Sequence, residues 1–497
     1  MKKYLLVILV AVSIASCSKD SLHEQKNEFF KSTEELDKWV TGMYEFLNLM
    51  FNDPMEYCYY LGGDDVTSNP AMNSGYYMAF DLFAPRSGGW YGSSYTFWYS
   101  CYNSISQTST IIMNLEKPES NPKIPESRRQ SALGQAYFVR ALTNYFLTRV
   151  WGEIPLITDP NVSDYNTNAS FTEIYDLIVS DLNKAESILP DNWKNDPDAT
   201  ELEKSTYYAR PTTGSAKALL ASVYLNMAGF PLKEISKYAL AAAKAKEVID
   251  NKSKYGYDLL PGFADLWLNA NNVNRETVLG CFYNRQTDPA ASFAMTNMVC
   301  PLVHKPANLG GGWGYLYAEL AFFDEFPSGP RKDATFLTEA QKSPADQPIP
   351  WQNFVSRHPH YKKWLDVEGF SYDNMGQYID WGSSRTIMII RYAEVLLIYA
   401  ESKAMSDGPD ASAYEAINLV RNRAGLPDLF PGLTSAEFRD SVINERKWEF
   451  AGNEPNSRWF DMVRTETVES STSVRDPKET PLMNQPDKSF YFAPAPP

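Results

Sequence analysis

Basic residues are in short supply: 46 Lys and Arg stand against 61 Asp and Glu, a formal charge of −15. Nucleic-acid binding needs basic surface to neutralise phosphates, so that class is excluded. Histidine is rarer still, with four in 497 residues. No Ser-His-Asp or Cys-His pattern stands out, and His358 and His360, flanking Pro359, lack the further ligands a metal site needs. There are five cysteines; beyond Cys17, the residues Cys58, Cys101, Cys281 and Cys300 have no metal-ligand spacing, and no disulfide pairing is fixed among them. Glycines 310–312 precede Trp313 without a strand–helix context, so they form no phosphate loop. Past residue 17 no stretch is long and apolar enough to cross a bilayer. No cofactor is implied.

What the chain does have is aromatic side chains, 14% of the total, with 31 Tyr and 12 Trp. Most belong in a core, and the rest suit stacking on neutral ligands. The first residues read as a signal peptide over 1–16: basic Lys2 and Lys3, an apolar run, then Ile14-Ala15-Ser16 before Cys17. Cys after small residues resembles a bacterial lipobox, which implies lipidation at Cys17 and a polar tether over 17–31. A single domain is then expected over 32–497, anchored to a membrane without spanning it.

Within that domain the apolar pattern is mainly helical. Ser32 with Glu35 and Ser170 with Glu173 have capping-box spacing, and helices are expected from 32 to about 50, 93–116, 126–150 and from 170 to near 189. Residues 213–228 and 232–250 form a hairpin rich in alanine, and 393–424 repeats its layout, like tetratricopeptide units. Thr434 and Glu437 cap a further helix whose apolar face is Phe438, Val442, Ile443 and Phe450. The expected fold class is therefore mainly α, with helical hairpin repeats over about 32–250 and 385–464. Between them, about 251–384 loses the helical period and reads as a loop-rich, irregular inserted region, with weak helices at 262–269 and 316–325. Residues 52–92 read as a second long loop, and long loops in compact domains are usually functional.

Four ordered blocks in the C-terminal part carry a family resemblance. They are Arg391, Glu394, Leu397, Ala400 and Glu401; Ile417, Asn418, Arg421, Arg423 and Ala424; Glu445, Arg446 and Glu449; and Arg458, Trp459, Asp461 and Arg464. With the upstream stretches FVRALTNYFLTRVWGEIPL and IYDLIVSDLNKAESILP, the chain resembles the SusD/RagB family from Cys17 to at least Arg464. It departs from the family where GNEPNS intervenes before Arg458. The resemblance implies a cell-surface, outer-membrane lipoprotein that binds nutrient and hands it to a SusC-like TonB-dependent transporter, doing no chemistry itself.

The acids and arginines of the last two blocks, spaced as they are on helices, are read as ion pairs that lock helices together rather than as catalytic groups. Asp64 and Asp65 are adjacent, and a glycosidase pair needs carboxyl groups roughly 5–10 Å apart across a sugar, which no spacing here specifies. A binding surface of loop aromatics is the better candidate. One stretch offers Asp64, Asp65, Asn73, Trp90 and Tyr91; the other offers Asn308, Trp313, Tyr315 and Tyr317. Rings stack on sugar faces while Asp and Asn bind hydroxyls, so an oligosaccharide is the expected ligand. A peptide-binding member of the same family and a secreted helical glycan-cleaving enzyme are the alternatives.

Overall fold

The computed structural model describes residues 29–52, 62–68, 80–84, 89–117, 121–162, 167–283, 314–340, 347–365, 384–452, 454–456 and 458–495, with backbone alone for 52 and 89–96. The leader, Cys17 and the tether up to residue 28 lie outside them, as do Cys58 and Cys300.

The chain is mainly helical. α1 (Thr33–Asn52), α2 (Gly89–Leu115), α3 (Glu126–Trp151), α4 (Phe171–Ile188), α5 (Thr213–Ala228) and α6 (Lys237–Asp250) pack on one another in sequence order. α8 (Tyr392–Asp407) then packs on α6, and α9 (Ala411–Arg423) and α10 (Ser435–Glu449) pack on α8. The hairpins α5–α6 and α8–α9 are the two tetratricopeptide-like units. Because α6 and α8 touch directly, the inserted region between them leaves the helical stack unbroken. Ser170, Thr212 and Thr434 each close a reciprocal capping box with the residue three positions on, which sets where α4, α5 and α10 begin. At α1 half of that arrangement is present: the Glu35 amide donates to Ser32 Oγ, while Glu35 itself accepts from Lys31.

α3 is central and is buried on nearly every face from Ala132 onward. A helix so enclosed is expected to be apolar all round, yet it carries Arg128, Arg140 and Arg149. Each is matched. Arg140 makes a two-pronged bond to Asp181 at 2.7 and 2.8 Å, Arg128 reaches Glu203 at 2.6 Å, and Arg149 donates to Asn456 between the rings of Tyr145 and Phe460. Buried charge without such partners costs several kcal/mol.

The inserted region holds short pieces. The expected weak helix at 262–269 is a 3-10 turn, Phe263–Trp267. The one expected at 316–325 divides into strand β3 (Leu316–Ala318) and α7 (Leu320–Glu325). β1 (Val66–Ser68) pairs antiparallel with β3, and β2 (Thr277–Cys281) pairs antiparallel with β4 (Ile387–Arg391). Among the described residues no helix is long and apolar enough to cross a membrane.

Candidate functional site

The two stretches singled out in the sequence meet in one strand pair. β1 and β3 pair with Val66 opposite Ala318, Thr67 opposite Tyr317 and Ser68 opposite Leu316. Segments some 250 residues apart in sequence therefore form one two-stranded ribbon.

α11 (Arg458–Arg464) and its neighbours hold that ribbon in place. Asp64 receives two bonds from Arg458, at 2.8 and 3.0 Å, and lies 3.4 Å from the Lys447 ammonium. Burial pushes its carboxyl up, but Arg458 and then Lys447 outweigh that and hold it at about 2. Asp65 points the other way, into the interior, and is 1% exposed. Its carboxylate accepts from the Gly452 amide at 2.9 Å, and its carbonyl accepts from Tyr361 Oη and the Glu319 amide. Burial, then the charge of Asp64, push its carboxyl to about 6. Gly452 has φ +79°, and a Cβ there would sit 2.5 Å from the Tyr361 ring, so glycine is required where the amide turns toward Asp65.

Beneath the strands lies a cluster that sequence reasoning did not find. Asp81 accepts from Thr67 Oγ1 and from the amide and hydroxyl of Ser68. Arg475, from the polar tail, bridges Asp81 and Glu319. Glu479 accepts from the Leu320 amide and faces His358 Nε2 at 3.0 Å. The ring of His358 stacks on Tyr317 at 4.4 Å. No period marks Arg475 or Glu479, since they sit in an irregular Pro-rich segment; their acidic and basic types were the only signal available.

The nine expected binding residues are thus sorted. Asp65 and Tyr317, at 1% and 3% exposure, are interior supports and present no surface to a ligand, which corrects the expectation for both. Trp90 and Tyr91 lie in the first turn of α2 rather than in a loop, because that helix starts at Gly89, four residues earlier than its apolar period suggests. Tyr315 is half-buried at the start of β3. Asn73, Asn308 and Trp313 lie outside the described residues. Asp64 lines a small cavity of about 40 Å³ with Phe83, Glu319, Phe322, Lys447 and Arg475, room for a water or two.

The acids and arginines of the C-terminal blocks are ion-paired scaffold. Glu449 takes Arg391 at 2.7 Å, Arg331 at 3.0 Å and also Arg423; Arg464 grips Glu401 at 2.5 and 2.7 Å; Asp461 takes Arg446 and Arg464. Among the described residues no three His, Cys, Asp or Glu converge as a metal site.

A family model described as "SusD family" matches residues 282–493, and one described as "Starch-binding associating with outer membrane" matches 18–225. SusD-like protein P2 of Formosa agariphila is 26% identical, over 93% of this chain and 91% of its own length. A SusD homolog from Bacteroides thetaiotaomicron superposes with a TM-score of 0.75 at 22% identity, covering 95% of both chains. Surface glycan-binding protein A from Bacteroides thetaiotaomicron, solved in complex with laminarihexaose, gives 0.72 at 19% identity, covering 92% of this chain and 95% of its own.

Proposed function

The chain belongs to the SusD family, and we propose that it captures an oligosaccharide at the bacterial cell surface and passes it to a SusC-like TonB-dependent outer-membrane transporter. One observation carries the choice of site. In a family whose relatives include a laminarihexaose-bound glycan-binding protein, the two stretches that supply the candidate residues contribute the paired strands β1 and β3.

Trp90, Tyr91 and Trp313 stack on sugar rings, Asn73 and Asn308 bind hydroxyls, and Tyr315 and Asp64 border the ligand. Asp65, Tyr317 and the cluster beneath them hold the ribbon still, so little conformational entropy is lost when sugar binds. No bond is made or broken by this chain. Lipidated Cys17 and the tether to residue 31 keep the protein at the outer membrane beside its transporter.

Electrophoresis through gels containing laminarin, starch or other glycans tests the reading. Wild-type protein is retarded by at least one of them, and Trp90→Ala with Trp313→Ala abolishes the retardation. Unchanged retardation defeats the choice of residues; glycan fragments released by pure protein defeat the binding-only mechanism; retention of peptides alone makes the peptide alternative correct. Cys17→Ala is expected to move the chain from the membrane to the soluble fraction, and affinity purification from solubilised outer membranes is expected to bring a β-barrel transporter with it.

A further inference from the structure

A second concave site lies away from the β1–β3 ribbon. It forms where the segment after α4 (Asp191, Asn192, Trp193), the 3-10 turn Tyr207–Ala209, the turn after α6 (Tyr255, Gly256, Tyr257) and the approach to β2 (Asn274, Arg275, Thr277) meet Phe282. None of its lining residues lines the cavity under the loops. Its volume is about 240 Å³. That is below the roughly 300–1,000 Å³ of drug-sized sites and suits one or two sugar rings.

Its walls are aromatic and fixed. Tyr208 meets Phe282 edge-on at 4.6 Å and Tyr207 at 5.2 Å, and all three rings are only half-buried. Trp193 donates its indole N–H to the Pro211 carbonyl, and Tyr257 shares its hydroxyl with Thr212 and Ser215, so the floor is locked by bonds internal to the protein. The Thr277 hydroxyl, by contrast, is buried and has no hydrogen-bond partner among the described residues. Such a group costs about 1–3 kcal/mol when left unmet. Exposed Arg275 and half-buried Asn192 and Asn274 add polar groups around the rings. Half-exposed rings and neutral amides match the two faces of a pyranose, apolar on its C–H side and polar at its edges. A phosphate or a charged peptide finds no buried counter-charge here that is still unpaired, since Arg210 is committed to Gln135 and Thr206.

We propose that this pocket is a second saccharide site, holding one terminal mono- or disaccharide unit of the captured glycan or of a neighbouring strand. The choice of ligand class rests on the glycan reading above; the existence and position of the pocket do not.

Calorimetry with maltose, cellobiose, laminaribiose and mannobiose, using Trp90→Ala/Trp313→Ala protein to silence the loop face, tests it. At least one disaccharide is expected to bind that protein at one per chain, and adding Tyr208→Ala is expected to weaken it tenfold or more, with Arg275→Ala weakening it less. Circular dichroism checks that the half-buried Tyr208 position leaves the fold intact. If oligosaccharide binds wild-type protein while no disaccharide binds the loop-silenced protein, or if both pocket variants bind unchanged, the second site is overturned and the glycan reading stands. If wild-type protein binds no saccharide of any length, the glycan reading fails and this inference fails with it.

Discussion

Asp64 shows how one side chain ties strand β1 to the helical scaffold. Its two bonds to Arg458 fasten the start of a long loop stretch to the first residue of α11, with both side chains almost out of solvent. Removing one partner of a buried pair leaves the other charged and unmatched, at about 3–5 kcal/mol. Asp64→Ala is therefore expected to lower stability by several kcal/mol in urea unfolding, and to weaken glycan retention by loosening β1. Lys447→Met removes only the longer arm, 3.4 Å from Asp64, and an ion pair to the half-exposed Glu325. Its effect is expected to stay near or below about 1 kcal/mol. Equal losses in the two variants are incompatible with Arg458 being the partner that matters.

The segment between α10 and α11, which holds GNEPNS, is wired into the scaffold. Glu454 takes Lys363 at 2.5 Å and Arg391 at 2.8 Å, and Asn456 donates to the Ile389 carbonyl and to Glu394 while accepting from Arg149. Through Lys363, Glu454 also fastens the loop-rich insertion to β4. Glu454→Ala leaves Arg391 with Glu276 and Glu449 but strips Lys363 of its carboxylate, so a loss of about 3 kcal/mol is expected. Differential scanning calorimetry checks it, and the double variant Lys363→Met/Glu454→Ala is expected to recover part of the loss because no lone ammonium remains buried. Helices and caps such as Ser170 and Thr434 were legible because apolar period and capping spacing are local. Which acid met which arginine was not, since Glu276, Arg331 and Lys363 reach the C-terminal blocks across more than 80 residues and sit in stretches without period. For the same reason composition pointed to the loops around Trp90 and Trp313, while the inward turn of Asp65 and Tyr317, set by Gly452 and His358, had no signature in the order of residues.

Buried carboxyls shifted in opposite directions should give the folded chain an acid-side stability optimum. Asp64 and Glu449 are held at about 2, below their ordinary 3.8 and 4.5, because arginines outweigh burial. Their contribution is fully present above those ordinary values and is lost as pH falls toward 2. Asp65, at about 6, and Glu394, at about 7, are raised chiefly by burial, and Glu319 is raised further by burial with Glu479 and Asp81 close by, despite Arg475. For these the folded state holds its proton more tightly than the unfolded chain. Their contribution is present below about 4 and declines as pH rises through 6 and 7 and beyond; for Glu394 the shift corresponds to roughly 3 kcal/mol. The two sets overlap between about pH 4 and 5, so the melting temperature, measured at constant ionic strength from pH 3 to pH 9, is expected to peak there and to fall toward pH 8. Glu319→Gln and Glu394→Gln, each a neutral side chain of the same shape, are expected to flatten the alkaline arm and leave the acid arm in place. A melting temperature that climbs steadily from pH 5 to pH 8 in wild-type protein contradicts the assignment, because above pH 5 the depressed carboxyls add nothing further and the raised ones can only lower stability.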